Sequence, residues 1–374
     1  MFKRNKYLLF IIILLVLMMI GVIIFQHFYG QGNKNDVVID SKQVGNDNLA
    51  VIEPTVKITE LESGLSTVRY DDDYGFDQFI SQGGVSSDEE LVTFISEQIL
   101  SRKVNLVANQ NFFGCSTLSI KGKNEYLFGR NFDWKECQAM IVMSESLNSY
   151  ASISTVNMDF ISTGTSIDLD KLPTQIRAAI SLYAPLDGMN EKGLCVSVNM
   201  IQDSSTIDQN TSQPDLTTTT AVRLLLNQAA SVDEAIALLE QYDLHASMNM
   251  MIHFALSDTT GKSVVVEYID NEMAITDTPV VTNFYLSEGE KFGIGTNQSH
   301  ERYQILKDAI QNSSIQSMND VKKALDSVSK DNFGEFESTE WSIVFNQSSG
   351  EVRYYHRENY QQGYVFHINQ NKED

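Results

Sequence analysis

The chain has 374 residues, enough for one large domain or two small ones with an ample core. Its 42% hydrophobic and 20% charged residues are an ordinary globular composition. A formal charge of -22 opposes binding to phosphate backbones and sets nucleic acid aside as a partner, and three cysteines without a CxxC pair suggest neither a disulfide framework nor a zinc knuckle.

The chain opens with MFKRNKYLLFIIILLVLMMIGVIIFQ, in which Lys3, Arg4 and Lys6 precede an uncharged run from Tyr7 to Phe25. At about 1.5 Å per residue this run matches the ~30 Å hydrocarbon core of a bilayer. The basic flank should stay cytoplasmic, which sends everything after Gln26 outside. A signal peptide would carry a shorter apolar region ending in small residues, and His27-Phe28-Tyr29 is a poor cleavage site. The expectation is an uncleaved single-pass anchor over 7–26, with 1–6 as a cytoplasmic tail.

From Gly30 to Thr55 the chain is rich in Gly, Asn and Asp and reads as a juxtamembrane linker with at most one short strand, within a 27–60 linker. Leu91 to Leu106 places Leu91, Phe94, Ile95 and Ile99 on one face of a helix, behind a Ser87/Glu90 capping box. This helix belongs to a segment, 61–114, that ends at a small-residue junction, Gly114-Cys115-Ser116-Thr117.

After Cys115 the texture becomes strand-like. STLSI, KGKN and EYLFGR read as a hairpin, and GLCVSVNM, SVVVEY, PVVTNF, WSIVFN and EVRYYH as further strands. Helices are expected over Thr218 to Ala230, over Val232 to Tyr242 behind Ser231/Glu234, over Glu301 to Gln311 behind Ser299, and over Met318 to Ser329. Hairpins alternating with helices predict an α+β domain of antiparallel sheets covered by helices.

A cysteine is a nucleophile only as thiolate, so it needs a base or a positive charge nearby. No histidine lies close in sequence, and His253, in the apolar run MNMMIHFAL, reads as a packed core residue. Another base is the cysteine's own α-amine, which titrates near ~8 once it is a chain terminus. That requires a cut between Gly114 and Cys115, and a glycine suits a strained turn in which the thiol approaches the preceding carbonyl.

GCSTL, FGRNFDW, LDGMNEKGLCVSVNM, LSDTTGKSVVVEY, VVTNF, SHERY and TEWSIVFN, in that order, resemble the choloylglycine hydrolase and penicillin V acylase family of N-terminal-nucleophile amidohydrolases. The embedded Gly-Cys junction resembles the acyl-coenzyme A:6-aminopenicillanic acid acyltransferase group. The resemblance runs from Cys115 to His356 and implies a four-layer αββα sandwich, preceded here by one transmembrane helix, with 115–374 as the catalytic domain.

It implies Cys115 as nucleophile and, once freed, its amine as base. Arg130 would favour the thiolate, Asp133 would orient the amine, Asn199 and Asn283 would donate to the tetrahedral oxyanion, and Arg302 would help hold the site. Taken alone, Arg130 and Asp133 read as a surface i,i+3 salt bridge, and Arg302 as an exposed first-turn helical residue. DGMNEKGL reads as a hairpin turn with a structural role beside the site, Trp341 and Ser342 as core strand residues, and Cys137 and Cys195 as buried thiols.

The reaction implied is hydrolysis of a small N-acyl amide through a thioester, with no metal or cofactor. Acyl transfer to an amine is the enzymatic alternative, and an anchored binding protein without catalysis the non-enzymatic one. Substrate selectivity is expected in loops over Glu145 to Leu172 and Gln202 to Thr217, and homo-oligomerisation is left open.

Overall fold

The computed structural model describes residues 39–44, 47–100, 114–164, 168–312, 315–331 and 337–368. In chain order the strands are β1 (Ile39–Val44), β2 (Asp47–Ile52), β3 (Thr59–Glu62), β4 (Leu65–Tyr70), β5 (Gly114–Lys121), β6 (Tyr126–Trp134), β7 (Ala139–Ser144), β8 (Ser152–Asn157), β9 (Asp187–Asn190) and β10 (Cys195–Met200). They continue with β11 (Asp215–Thr217), β12 (Asp243–His245), β13 (Ile252–Ser257), β14 (Ser263–Ile269), β15 (Glu272–Asp277), β16 (Val280–Val281), β17 (Ser338–Asn346), β18 (Glu351–His356) and β19 (Gln362–His367). The α-helices are α1 (Phe76–Ser81), α2 (Asp88–Ile95), α3 (Met158–Gly164), α4 (Thr174–Ser181), α5 (Thr218–Gln228), α6 (Val232–Leu239), α7 (Asn297–Gln311) and α8 (Met318–Asp326).

One sheet has eight strands in the order β1-β2-β19-β18-β17-β6-β5-β16, and another has nine in the order β15-β14-β13-β10-β9-β8-β7-β4-β3. The two face each other where β5 meets β10. Helices α7 and α8 pack on the strands of the first sheet, and α4 and α5 on those of the second. Alternation along β5 explains the layering: Leu118 and Ile120 join Leu306, Val321 and Leu325 in an apolar core beneath the helices. Cys115, Thr117 and Ser119 turn the other way, into a polar seam where Ser119 Oγ lies 2.6 Å from Ser257 Oγ.

Several expectations are corrected here. The Gly30 to Thr55 stretch holds two strands, β1 and β2, and β2 pairs in parallel with β19. The helix expected over Leu91 to Leu106 is α2, capped by Ser87, followed by a π-helical turn over Ser96–Leu100; 101–113 lie outside the described residues. Glu90 turns its carboxylate to Ser86 N and Oγ, one residue before the cap. Helix α7 is capped by Thr296, while Ser299 is a buried residue of its first turn. Of PVVTNF only Val280–Val281 forms a strand.

The turn between β9 and β10 is the hairpin expected of DGMNEKGL. Gly193 takes a left-handed φ of 82°, and Asn190 Oδ1 accepts from Lys192 N and Leu194 N at 3.1 Å each. The region Glu145 to Leu172 contains β8 and α3, so only part of it is loop. The expected anchor over 7–26 lies outside the described residues; among those described, no helix is long and apolar enough to cross a membrane.

Candidate active site

Strand pairing assembles the site. Antiparallel β5 and β6 set Cys115 opposite Phe132, Thr117 opposite Arg130 and Gly114 opposite Asp133. Residues two apart share a face, so Cys115 and Arg130 lie diagonally on the face toward the second sheet, and Gly114 and Asp133 belong to the face toward the helices. Arg130 and Asp133 are therefore not the surface pair that their spacing suggests. Both are fully buried, on opposite faces.

On the inner face Cys115 Sγ lies 3.5 Å from Arg130 Nη2 and 3.8 Å from the Val198 carbonyl. Arg130 Nε pairs with Asp187 Oδ2 at 3.0 Å, and Nη1 donates to Leu186 O at 2.9 Å and to Ser197 Oγ. Trp341 Nε1 donates to the same Asp187 oxygen at 3.0 Å. Asp187 is thus more than part of a turn: it is the buried counter-ion of Arg130. Sequence reasoning missed it because its partner lies on another strand.

Burial pushes the Cys115 thiol up to about 12; Arg130 and Arg302 pull it down, while Asp133 and Asp187 push it further up. Arg130 thus favours the thiolate as expected, but desolvation outweighs it and the thiol stays protonated at neutral pH. Burial likewise pushes the Asp187 carboxyl above its ordinary range against the pull of Arg130.

The backbone of Cys115 is held on the side away from β6. Its N–H donates to Asn283 Oδ1 at 2.9 Å, and its carbonyl accepts from Arg302 Nη1 at 2.5 Å. Arg302 Nη2 also donates to Asn283 Oδ1 at 2.7 Å, while Asn283 Nδ2 donates to Met200 O at 2.7 Å. These partners fix which end of the amide faces the cysteine. In the uncut chain Asn283 presents its oxygen to the Cys115 nitrogen, and one of the two hydrogens on its Nδ2, the group expected at an oxyanion, is taken by Met200 O. Asn199 Oδ1 accepts from Ser197 Oγ at 2.9 Å, and its Nδ2 makes only long bonds, 3.3 and 3.4 Å, to Val281 O and Thr282 O. Arg302, read alone as an exposed first-turn residue, lies in the second turn of α7 and is buried.

On the outer face, a Cβ at position 114 would collide with Glu337 Oε1 and lie 2.7 Å from Lys330 Nζ and 2.9 Å from Asp133 Oδ2. Glycine lets these three side-chain ends close in on the start of β5. Gly114 is the first residue of β5, and the segment leading into it, 101–113, lies outside the described residues. Asp133 Oδ1 accepts from Thr339 Oγ1 at 2.7 Å. Its Oδ2 has no hydrogen bond, with Lys330 Nζ at 3.5 Å and Arg302 Nη1 at 3.7 Å.

His253 is a core residue and does not pair with Cys115. Nδ1 lies 2.9 Å from Glu267 Oε1 and Nε2 2.9 Å from Thr282 O. Glu267 also accepts from Leu286 N and Ser287 N, so the pair pins the segment carrying Asn283 from both ends. A charged residue inside the apolar run SVVVEY was the legible sign of this arrangement. Cys137 and Cys195 are buried free thiols. A cavity of about 570 Å³ lined by Lys121, Gly122, Pro279 and Ile315 opens at the far end of β5, while Cys115 itself is 0% exposed.

Two facing sheets with helices outside match the fold of a conjugated bile acid hydrolase variant from Clostridium perfringens. The TM-score is 0.52 at 17% identity over 69% of this chain and 93% of that one. Residues 115–285 match linear amide C–N hydrolases, choloylglycine hydrolase family, and the match begins at Cys115 itself. Over that segment the chain is similar to this family. A penicillin V acylase from Pectobacterium atrosepticum is 30% identical over 24% of this chain and 26% of its own length. A bile salt hydrolase/transferase from Lactiplantibacillus plantarum is 25% identical over 58% of this chain and 64% of its own. In both cases the chain spans less than two thirds of the curated relative.

Proposed function

We propose that this chain is a membrane-anchored, extracytoplasmic amidase that cleaves itself between Gly114 and Cys115 and then hydrolyses a linear amide C–N bond through a thioester. The observation that carries this reading is Asp133 Oδ2, a fully buried carboxylate oxygen that reaches toward Gly114 and lacks a hydrogen-bond donor. Cutting the Gly114-Cys115 bond supplies that donor as the new α-ammonium. It also supplies a base titrating near ~8, which a thiol buried beside two arginines otherwise lacks.

In this mechanism Cys115 Sγ attacks the substrate carbonyl while its own amine, positioned by Asn283 Oδ1 and Asp133, takes the thiol proton and passes it to the leaving nitrogen. Arg130 supplies positive charge beside the sulfur, and Arg302 locks Asn283 and the Cys115 carbonyl. Asn199 Nδ2, whose present bonds are long, and Asn283 Nδ2 are the donors for the oxyanion. Water then resolves the thioester with the amine again as base. The relatives' names support a small N-acyl amide as substrate, and the basic-flanked apolar run at 7–26 supports the anchor.

Intact mass tests the reading. Wild type should appear as two fragments divided after Gly114, and Cys115→Ala as one chain of about 42 kDa without amidase activity. Two fragments from Cys115→Ala would overturn the mechanism. Acyl transfer is a second reading, favoured by the similarity to a hydrolase/transferase from Lactiplantibacillus plantarum, and product analysis with and without a competing amine separates the two.

A further inference from the structure

Lys330 is a buried lysine that the turnover mechanism does not use. Its Nζ lies 2.6 Å from Glu337 Oε1 and 3.5 Å from Asp133 Oδ2, and 2.7 Å from where a Cβ on Gly114 would sit. It is 6% exposed, a rare state for lysine unless paired. We propose that Lys330 is the proton donor to the leaving nitrogen when the chain cuts itself, an inference that rests on the self-cleavage reading and assigns a residue to that step alone.

The strand geometry supplies the reason. The N–H and C=O of Cys115 both point away from β6, to Asn283 and Arg302. Backbone bonds in an antiparallel ladder alternate, so the Gly114–Asp133 pair is the one that exchanges them, and the Gly114 carbonyl points at the Asp133 N–H. The scissile peptide is therefore held at both edges in the plane of the sheet. The thiol lies on its inner face.

Attack by Sγ from the inner face makes the lone pair that develops on the Cys115 nitrogen point to the opposite, outer face. That face holds Lys330, Arg302, Asp133 and Glu337. Arg302 cannot give up a proton, and Asp133 and Glu337 are acceptors when ionised. Lys330 alone among these charged groups combines a transferable proton with the correct face.

The step balances as follows. The thiol proton is lost to water, Sγ bonds to the Gly114 carbonyl carbon, and the C–N bond breaks as Lys330 gives a proton to the nitrogen. Lys330 is then reprotonated from water. Water hydrolyses the Gly114–Cys115 thioester, leaving a Gly114 carboxylate, the Cys115 thiol and its free amine.

The experiment follows scission of freshly synthesised full-length chain by intact mass over time. Loss of a general acid costs about 10²–10⁴-fold, so Lys330→Met and Lys330→Arg should both slow scission by about 100-fold or more. Lys330→Arg keeps the charge beside Asp133 and Glu337, and it serves as the folding control together with thermal melts. Wild-type rates in Lys330→Arg would overturn proton donation. Wild-type rates in Lys330→Met would overturn any role for Lys330. A wild-type chain that never cuts overturns the self-cleavage reading along with this one, whereas cutting unaffected by these variants overturns this one alone.

Discussion

The two faces of the β5–β6 ladder are equally buried and carry different electrostatic arrangements. On the inner face a single guanidinium, Arg130, is matched by a single carboxylate, Asp187, whose Oδ1 also lacks a hydrogen bond, and the thiol sits at the edge of this one-to-one pair. On the outer face two cations, Lys330 and Arg302, face two carboxylates, Asp133 and Glu337, and one oxygen of Asp133 is left without a donor. A closed one-to-one pair holds a side chain in place, and a cluster of four charged groups beside Gly114 can accept a new one. The difference assigns the inner face to holding the nucleophile and the outer face to receiving the amine that cleavage creates.

Breaking the closed pair should have the largest effect. Arg130→Met leaves Asp187 buried with no cation, and removal of one partner from a buried ion pair costs about 3–5 kcal/mol. Denaturant melts should show that loss, and Asp187→Asn in the same background should restore part of it, since the uncompensated carboxylate is then gone. Equal stability of Arg130→Met and wild type would mean that the inner face is not a closed pair.

Gly114→Ala tests the outer face. Its Cβ would displace Lys330, Glu337 or Asp133, and overpacking of this kind costs about 1–3 kcal/mol. The greater consequence is expected in processing: intact mass should show an uncut chain, because the displaced groups are those around the scissile bond. Rapid scission of Gly114→Ala would sink the assignment of this face to cleavage.

The difference between the faces also explains what was legible in the sequence. Cys115, Arg130 and Asp133 lie on one hairpin, and the hairpin's alternation is written locally; Asn283 and Arg302 came from motifs in their expected order. Asp187 and Lys330 each acquire their meaning from a strand or loop far along the chain, and no local pattern encodes that meeting. The same holds for β1 and β2, whose Gly- and Asn-rich sequence reads as linker until β19 offers an edge to pair with. The segment before Gly114 thereby contributes strands to both large sheets, β2 beside β19 and β4 beside β7. Ladder pairing, more than the helix over Leu91 to Leu106, would hold the fragments together after a cut.

The smallest expected effect asks how far the charged character of the inner face extends. Four residues beyond Cys115, Ser119 Oγ shares a 2.6 Å hydrogen bond with Ser257 Oγ, which also donates to Gln347 Oε1 at 3.4 Å. No charged side chain takes part in these bonds, so Ser119→Ala should cost about 0.5–1.5 kcal/mol, the ordinary net worth of a neutral hydrogen bond. Its scission rate and amidase activity should match wild type, since neither Arg130 nor Asp187 loses a partner. A clear loss of activity at unchanged stability would show that the polar seam between the sheets acts as one network with the thiol, and that the inner face is not a local pair.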